Sequence, residues 1–352
     1  MAANLRFLVT GGCGFIGSNF ILYLLDHYPQ CRVINLDKLT YASNPDNLRE
    51  VEGDPRYRFV QGDIGDAALV DEIMGAVDVV FNFAAETHVD RSLMDGGAFI
   101  TTDVYGTYVL LEAARRQPSL RRFLHISTDE VYGEMAAGRS AKESDPLRPR
   151  SPYAASKAGA DMQCLVFVET YGLPVIITRA ANNVGPRQHP EKLVPLFVTG
   201  AILELPLPLY GDGLQVRDWL FVEDHCRALD LIFRRGQPGQ IYNVGADNYR
   251  QNIRVAEAIL DMLGKPRSLI RFVEDRQGHD RRYSLDWSRL RSLGWAPDHD
   301  FSAALEKTVA WYVANRWWWE RIYAGPFRDY YERQYGQRLA AGAAYDAKEK
   351  AR

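Results

Sequence analysis

Two acids stand side by side at the end of a short apolar run in His125-Ile-Ser-Thr-Asp-Glu-Val-Tyr-Gly133, and about twenty residues later Tyr153-Ala-Ala-Ser-Lys157 sets a phenol four positions from an ammonium. On a helix that spacing puts Tyr153 and Lys157 on one face. An ammonium near a phenol stabilises the phenolate. Bringing a tyrosine from about 10 toward 7 takes roughly 4 kcal/mol, within reach of one desolvated cation plus a nicotinamide charge. Tyr153 therefore reads as a general base for an alcohol. Simple alcohol oxidation is served by that base alone. Asp129 and Glu130 are surplus to it unless a second proton must be removed and a hydroxyl must leave as water. Neighbouring acids push each other's pKa values apart, so that one can donate while the other accepts. These residues describe an enzyme that oxidises its substrate and then eliminates from it. The competing reading is that Asp129 caps a turn and Glu130 faces solvent.

Such chemistry needs a hydride acceptor. Gly11-Gly12-Cys13-Gly14-Phe15-Ile16-Gly17 places Gly12, Gly14 and Gly17 in GxGxxG spacing, straight after an apolar run and at the start of a helical pattern. Such glycines permit a tight turn and let backbone amides approach a pyrophosphate at the positive helix terminus. Asp37 closes the next apolar run 20 residues after Gly17. An acid there accepts from both adenosine ribose hydroxyls and repels a 2′-phosphate, which predicts NAD rather than NADP. Lys38 beside it has no arginine companion. Asp63-Ile64 ends the third run, where the carboxylate either meets the adenine amino group or forms a turn after Gly62.

The elements that must hold these groups alternate. RFLVT, RVINLD, YRFVQGD, VDVVFNFAA, RRFLHIST and PVIIT read as strands buried on both faces, and 17–27, 98–116 and 153–171 carry apolar residues at helical spacing. The alternation predicts an α/β fold, a Rossmann-type doubly wound parallel sheet with a smaller, loop-rich C-terminal substrate lobe. The predicted boundaries are 1–180 for the NAD-binding domain, joined by a returning segment at 217–245, with 181–216 and 246–338 as the substrate lobe. Five prolines from Pro186 to Pro208 break the second part into loops around a short helix at 193–203. A helix at about 302–323 carries Trp317-Trp318-Trp319, read as core or subunit contact, and 339–352 reads as a flexible tail.

With 47% hydrophobic residues the chain can build a large core, and a formal charge of −3 with mixed signs gives no electrostatic case for nucleic acid or an anionic membrane. The four cysteines, at 13, 31, 164 and 226, form no CxxC pair, so neither a metal cage nor a disulfide framework is indicated. No run has spanning length and the N-terminus leaves no room for a signal peptide, which predicts a cytoplasmic protein.

The stretches TGGCGFIGSNF, LDKLTYASN, AAETHVDRS, HISTDEVYG, SPYAASK, PEKLVPLF, RDWLFVEDH and RQGHDRRYSLD together resemble the dTDP-glucose 4,6-dehydratases of the extended short-chain dehydrogenase/reductase superfamily, from the first strand to about Arg338. STDEVYG and GHDRRY are far more specific than the glycine loop. The resemblance implies that Tyr153 takes the C4 hydroxyl proton as hydride passes to NAD, with Lys157 on the nicotinamide ribose and Thr128 near C4. Glu130 then removes the C5 proton, Asp129 protonates the departing C6 hydroxyl, and the product is a 4-keto-6-deoxy sugar plus water. It also implies cofactor contacts at Phe15, Ile16, Asp37, Lys38, Leu39, Thr40, Asp63, Ile64, Ala84, Ala85, Thr102 and Asn183. Substrate contacts fall on His88, Asn182, Lys192, Leu193, Tyr210, Arg217, Asn252, Arg276 and His279. Lys192, Arg217 and Arg276 suit a diphosphate, with Arg217 otherwise free to pair with Asp218. The family implies a homodimer built on 98–116 and 153–171. Three positions depart from its pattern: Val184 stands where a tyrosine is usual, Asp103 for an asparagine and Cys13 for an alanine. A UDP- or CDP-glucose 4,6-dehydratase is the near alternative. A nucleotide-sugar 4-epimerase has no use for Asp129 and Glu130, and a non-catalytic dinucleotide sensor has none for Tyr153 and Lys157 either.

Overall fold

The computed structural model describes residues 4–344. The chain lays down β1 (Arg6–Thr10), β2 (Arg32–Asp37), β3 (Tyr57–Gln61), β4 (Val79–Asn82), β5 (Arg122–Thr128) and β6 (Val175–Ala180). It leaves for β7 (Asn182–Val184), β8 (Leu207–Tyr210) and β9 (Val216–Phe221), then returns as β10 (Ile241–Val244). It ends with β11 (Tyr249–Gln251), β12 (Ile270–Val273) and β13 (Ala343–Ala344). Seven of these strands form one parallel sheet in the order β10-β6-β5-β4-β1-β2-β3. The order reverses between β1 and β4, and at such a switch point ligands bind beyond the carboxyl ends of the strands. This is the predicted Rossmann-type α/β fold.

Period-two alternation explains why the strands read as unbroken apolar runs. Phe7 and Val9 of β1 enter one core, with Phe20 and Ile21 of the helix Phe15–His27 and Leu229 and Ile232 of the helix Val222–Arg235. Leu8 enters the opposite core with Val70, Leu110 and Phe167, from three helices on the other face. Both faces are covered, so both parities are apolar. β3 departs from the prediction: it is the edge strand, and Arg58 and Phe59 are exposed.

Two small sheets, β11-β9-β7 and β13-β12-β8, carry the second lobe around its own core. The segment 217–245 returns to the main sheet only through β10, because β9 pairs with β7 and β11 instead. The predicted helix at 98–116 contains a π-helical turn, Ile100–Gly106. The one at 302–323 is two helices, Phe301–Ala314 and Arg316–Tyr323, separated by Asn315. Trp318 and Trp319 are buried and their indoles donate to Asn47 and Tyr312, so two of the three tryptophans are core, while Trp317 is exposed. The described part of the tail expected from 339 onward is ordered into elements. The helix Phe327–Ala341 runs through that point and Ala343–Ala344 pair with β12, while 345–352 lie outside the described residues. No helix among the described residues is long and apolar enough to cross a membrane.

Candidate active site

β5 delivers the two acids. Thr128 caps the 3-10 turn Asp129–Tyr132, its hydroxyl accepting from the Glu130 amide at 3.3 Å and donating to Asp129 Oδ1 at 3.2 Å. Gly133 ends the turn at φ 72°, where an added Cβ would lie 2.3 Å from the Arg148 carbonyl oxygen. Only glycine fits that approach. Asp129 is buried and Glu130 half-buried, against the reading of a cap and a solvent-facing acid. Burial, then the charge of Glu130, holds the Asp129 carboxyl well above the usual carboxylate range. That direction suits a proton donor, and its buried Oδ2 has no hydrogen-bond partner among the described residues.

Tyr153 and Lys157 lie in the first turns of the helix Pro152–Tyr171, which Ser151 caps by accepting from the Ala154 amide and which Pro152 opens with a preset φ. Lys157 is buried and donates to the Ile126 carbonyl at 2.7 Å. Burial, then the charges of Glu130 and Asp103, holds the Tyr153 phenol well above its ordinary 10, while a hydrogen bond with Thr128 pulls the other way. In the protein alone burial and the neighbouring acids keep the phenol high, so the expected fall toward 7 is absent. Asp103 is one of those acids. It is buried, accepts from the Glu86 amide at 2.9 Å and from Ser156 Oγ at 2.6 Å, and burial pushes it up to about 6. It ties the π-helical turn to both the loop after β4 and the turn between Tyr153 and Lys157.

A cavity of about 240 Å³ opens beside these groups. Gly11, Gly14, Phe15, Ile16, Gly17, Thr40, Ala84 and Ala85 line one side, and Thr128, Asp129, Glu130, Tyr153, Lys157, Asn182, Asn183 and Lys192 the other. A smaller extension, about 50 Å³, adds Asp37, Lys38, Asp63, Ile64 and Thr102. Gly12 and Leu39 line neither cavity. A Cβ on Gly12 would meet the Asn35 side chain at 2.2 Å, so that glycine serves packing, whereas one on Gly14 meets only the Gly11 carbonyl oxygen, at 3.2 Å. The open cradle at Gly14 is what a close-lying pyrophosphate requires. Asp37 accepts from the amides of Cys13 and Leu39 and from Ser43 Oγ. With about four acceptor sites on a carboxylate, it keeps capacity for one further donor rather than the two expected. Lys38 pairs with Asp63 at 2.7 Å, which removes it as a 2′-phosphate ligand. The Asn183 side chain is committed to Ala181 and His225. These donors and cradles fit NAD.

A second cavity, about 150 Å³, is lined by His88, Asn182, Lys192, Leu193, Tyr210, Arg217, Asn252, Arg276 and His279. It shares Thr87, Glu130, Asn182 and Lys192 with the first, so the two spaces meet at Glu130. Asn182 Oδ1, Asn252 Oδ1 and Arg276 Nε are buried without hydrogen-bond partners, a clustering of polar groups that marks a polar ligand. The Arg217–Asp218 pair does not form. Asp218 accepts from the amides of Ala246, Asp247 and Asn248, while Arg217 donates to Val216 and Asp280 carbonyls and lies over the Tyr283 ring. Val184 is buried in the lobe core and lines neither cavity. Cys13 is buried, and Asn35 Nδ2 donates to its thiol at 3.3 Å.

Three residues at the site carried no role in the sequence reading. Tyr283 OH donates to Asp280 at 2.8 Å and lies 3.4 Å from Glu130 Oε2. Its signal was the last letter of GHDRRY. Glu191 accepts from Arg91 Nε at 2.8 Å behind Lys192, and Asp90 accepts from Tyr210 at 2.9 Å. Both lie inside motifs already noted, next to the residues singled out.

A family model for GDP-mannose 4,6 dehydratase matches residues 8–308. A dTDP-glucose 4,6-dehydratase of Actinoplanes sp. is 50% identical over 321 residues, covering 90% of this chain and all of that protein. A low-salt glycan biosynthesis protein, Agl12, of Haloferax volcanii is also 50% identical, over 88% of this chain and 98% of its own length. The solved structure of DesIV, a dTDP-glucose 4,6-dehydratase from Streptomyces venezuelae with NAD and TYD bound, superposes with a TM-score of 0.88 at 50% identity, over 90% of this chain and all of the other.

Proposed function

The chain belongs to the dTDP-glucose 4,6-dehydratase family and acts as an NAD-dependent hydro-lyase, and we propose that Tyr153, Glu130 and Asp129 move the three protons of its reaction. The observation that carries the assignment is the meeting of two cavities at Glu130, with the Asp129 carboxyl and the Tyr153 phenol lining the cofactor side of that junction. When bound, NAD takes the hydride from C4 of dTDP-glucose and gives it back at C6.

Tyr153 receives the C4 hydroxyl proton. Burial and the surrounding acids hold its phenol high, and the positive charge of Lys157 together with that of bound NAD would favour the phenolate. Thr128 holds the same hydroxyl near C4, and Lys157 stands one helical turn behind. Once C4 is a ketone the C5 proton is acidic, and Glu130 removes it. Asp129, whose carboxyl burial and Glu130 hold high, gives its proton to the C6 oxygen, which leaves as water. Glu130 returns its proton to C5, so the product is dTDP-4-keto-6-deoxyglucose and water. Lys192, Arg217 and Arg276 line the second cavity and are assigned to the diphosphate, with His88, Leu193, Tyr210, Asn252 and His279 assigned to the rest of the sugar nucleotide.

Glucose nucleotides carrying deuterium at C4 test this reading: with dTDP-, UDP- and CDP-glucose offered separately, the label is expected at C6 of a 4-keto product from the dTDP sugar. Label retained at C4 of a galactose epimer, or turnover confined to UDP- or CDP-glucose, would sink it.

A homodimer and a cytoplasmic location complete the proposal. Tyr105, Tyr108, Met162, Val166 and Tyr171 are exposed on the segments 97–115 and 152–171, an apolar face that suits a two-fold helix pairing. Sedimentation equilibrium is expected to return twice the chain mass. Met162→Glu with Val166→Glu is expected to return a single chain, and a wild-type monomer refutes the dimer. The four cysteines are free and buried, which suits a reducing compartment.

A further inference from the structure

The helix Phe327–Ala341 sits outside every motif that pointed to the reaction, yet one of its faces is spent on the substrate cavity. Tyr330, Gln334 and Arg338 are spaced by four and so share that face. Gln334 Nε2 donates to Tyr210 OH at 2.7 Å and Arg338 NH1 donates to the same oxygen at 3.0 Å. The Tyr210 hydroxyl donates in turn to Asp90 Oδ2 at 2.9 Å. One donor and two acceptor positions are all that a phenol hydroxyl has, so Tyr210 has none left for a ligand. What it offers the cavity is its ring. The ring's place is set by a carboxylate from the short helix Val89–Met94 and by two side chains of the last helix.

The same face reaches further. Tyr330 OH lies 3.3 Å from His88 Nδ1 and its ring lies 4.2 Å from the Arg91 guanidinium. Asp90 is 3.4 Å from Arg276 NH1, so Tyr210 and Arg276 are held through one shared acid. Half-buried Arg338 also lies over the Tyr210 ring, 5.4 Å from its centroid. Long polar side chains lose rotamer freedom when fixed in this way, and an apolar contact would anchor a helix as well. Polar anchoring aimed at one phenol is the arrangement expected where its position matters.

We propose that the helix Phe327–Ala341 is a specificity element of the substrate site, with Gln334 and Arg338 as positioning residues that set Tyr210, and through Asp90 also Arg276, to receive a nucleoside diphosphate. The proposal rests on Tyr210 and Arg276 being substrate residues, as in the function above. Neither positioning residue touches the sugar, so their effect falls on nucleotide affinity and not on the chemical steps.

Arg338→Met and Gln334→Met in the full-length, NAD-loaded protein test it by a KM-against-kcat split, with calorimetric binding of dTDP alone as a readout free of chemistry. Each lost bond is expected to raise both KM for dTDP-glucose and Kd for dTDP by roughly tenfold while kcat stays within about twofold. Arg338→Lys, which keeps a donor, is expected to retain most of the wild-type affinity. Unchanged KM and Kd in both methionine variants, or a fall in kcat with KM unmoved, overturns the proposal. If Arg338→Met lowers Tm, Gln334→Glu carries the test alone, since it keeps size and helix propensity but turns the donor into an acceptor. A wild-type protein inactive on dTDP-glucose refutes the function; an active wild type with indifferent variants refutes the helix's role alone.

Discussion

Glu130→Gln is expected to cut product formation by roughly a thousandfold while leaving oxidation at C4 in place. Glutamine has the same size and keeps an oxygen for the Tyr283 hydroxyl, 3.4 Å from Glu130 Oε2, so the 3-10 turn and its neighbours survive the change. What disappears is the only group set to take the C5 proton. With substrate present, the near-ultraviolet band of reduced nicotinamide is expected to rise and persist. Exchange of the C5 hydrogen with deuterated water is expected to vanish. A second effect follows from charge. Glu130 is the strongest charge raising the Tyr153 phenol, so removing it lowers the phenol's pKa. The oxidised alcohol therefore forms at lower pH in the variant than in the wild type. Stopped-flow absorbance across a pH series checks both points, and product formation at the wild-type rate would take Glu130 out of the elimination.

The residues that make this prediction possible were legible early, because local spacing encodes them. Thr128-Asp129-Glu130 follows a strand, Tyr153 and Lys157 share a helical face, and Gly11 to Gly17 open a helix; each is a pattern of neighbouring residues along the chain. Pairings between distant residues were not legible in the same way. That Asp37 is already engaged by Cys13, Leu39 and Ser43, or that Lys38 is taken by Asp63, depends on where a loop folds back. β9 reads as apolar whichever sheet it joins, so its membership of the small sheet had no separate signal. The last helix was missed for another reason. Its anchors are Tyr330, Gln334, Tyr335 and Arg338, tyrosines and polar residues whose burial makes no apolar stripe. Val184, by contrast, looked consequential only because a motif was expected there, and it packs into the lobe core away from both cavities.

Tyr153→Phe is expected to fail one step before Glu130→Gln, and the contrast between them orders the reaction. Phenylalanine keeps the ring, half-buried at the second position of its helix, and removes only the oxygen. The expected loss is about a thousand- to ten-thousandfold in kcat, the range for a positioned general base. No reduced nicotinamide is expected to build up, since C4 is never oxidised. The pH profile separates a chemical role from a structural one. A phenol held above its ordinary value is protonated at low pH, so wild-type oxidation rises as pH climbs toward the phenol's pKa in the complex and levels off above it. Residual turnover in Tyr153→Phe is expected to lose that rise. Asp103→Asn gives the complementary shift. The Asp103 charge raises the phenol, so exchanging it for the neutral amide moves the rise to lower pH, by roughly one unit for a charge screened at an effective dielectric near 20. Asparagine can still accept from the Glu86 amide, which keeps the loop in place while the charge is gone. A rise that stays put in Asp103→Asn and persists in Tyr153→Phe would assign the titration to another group and remove Tyr153 as the base at C4.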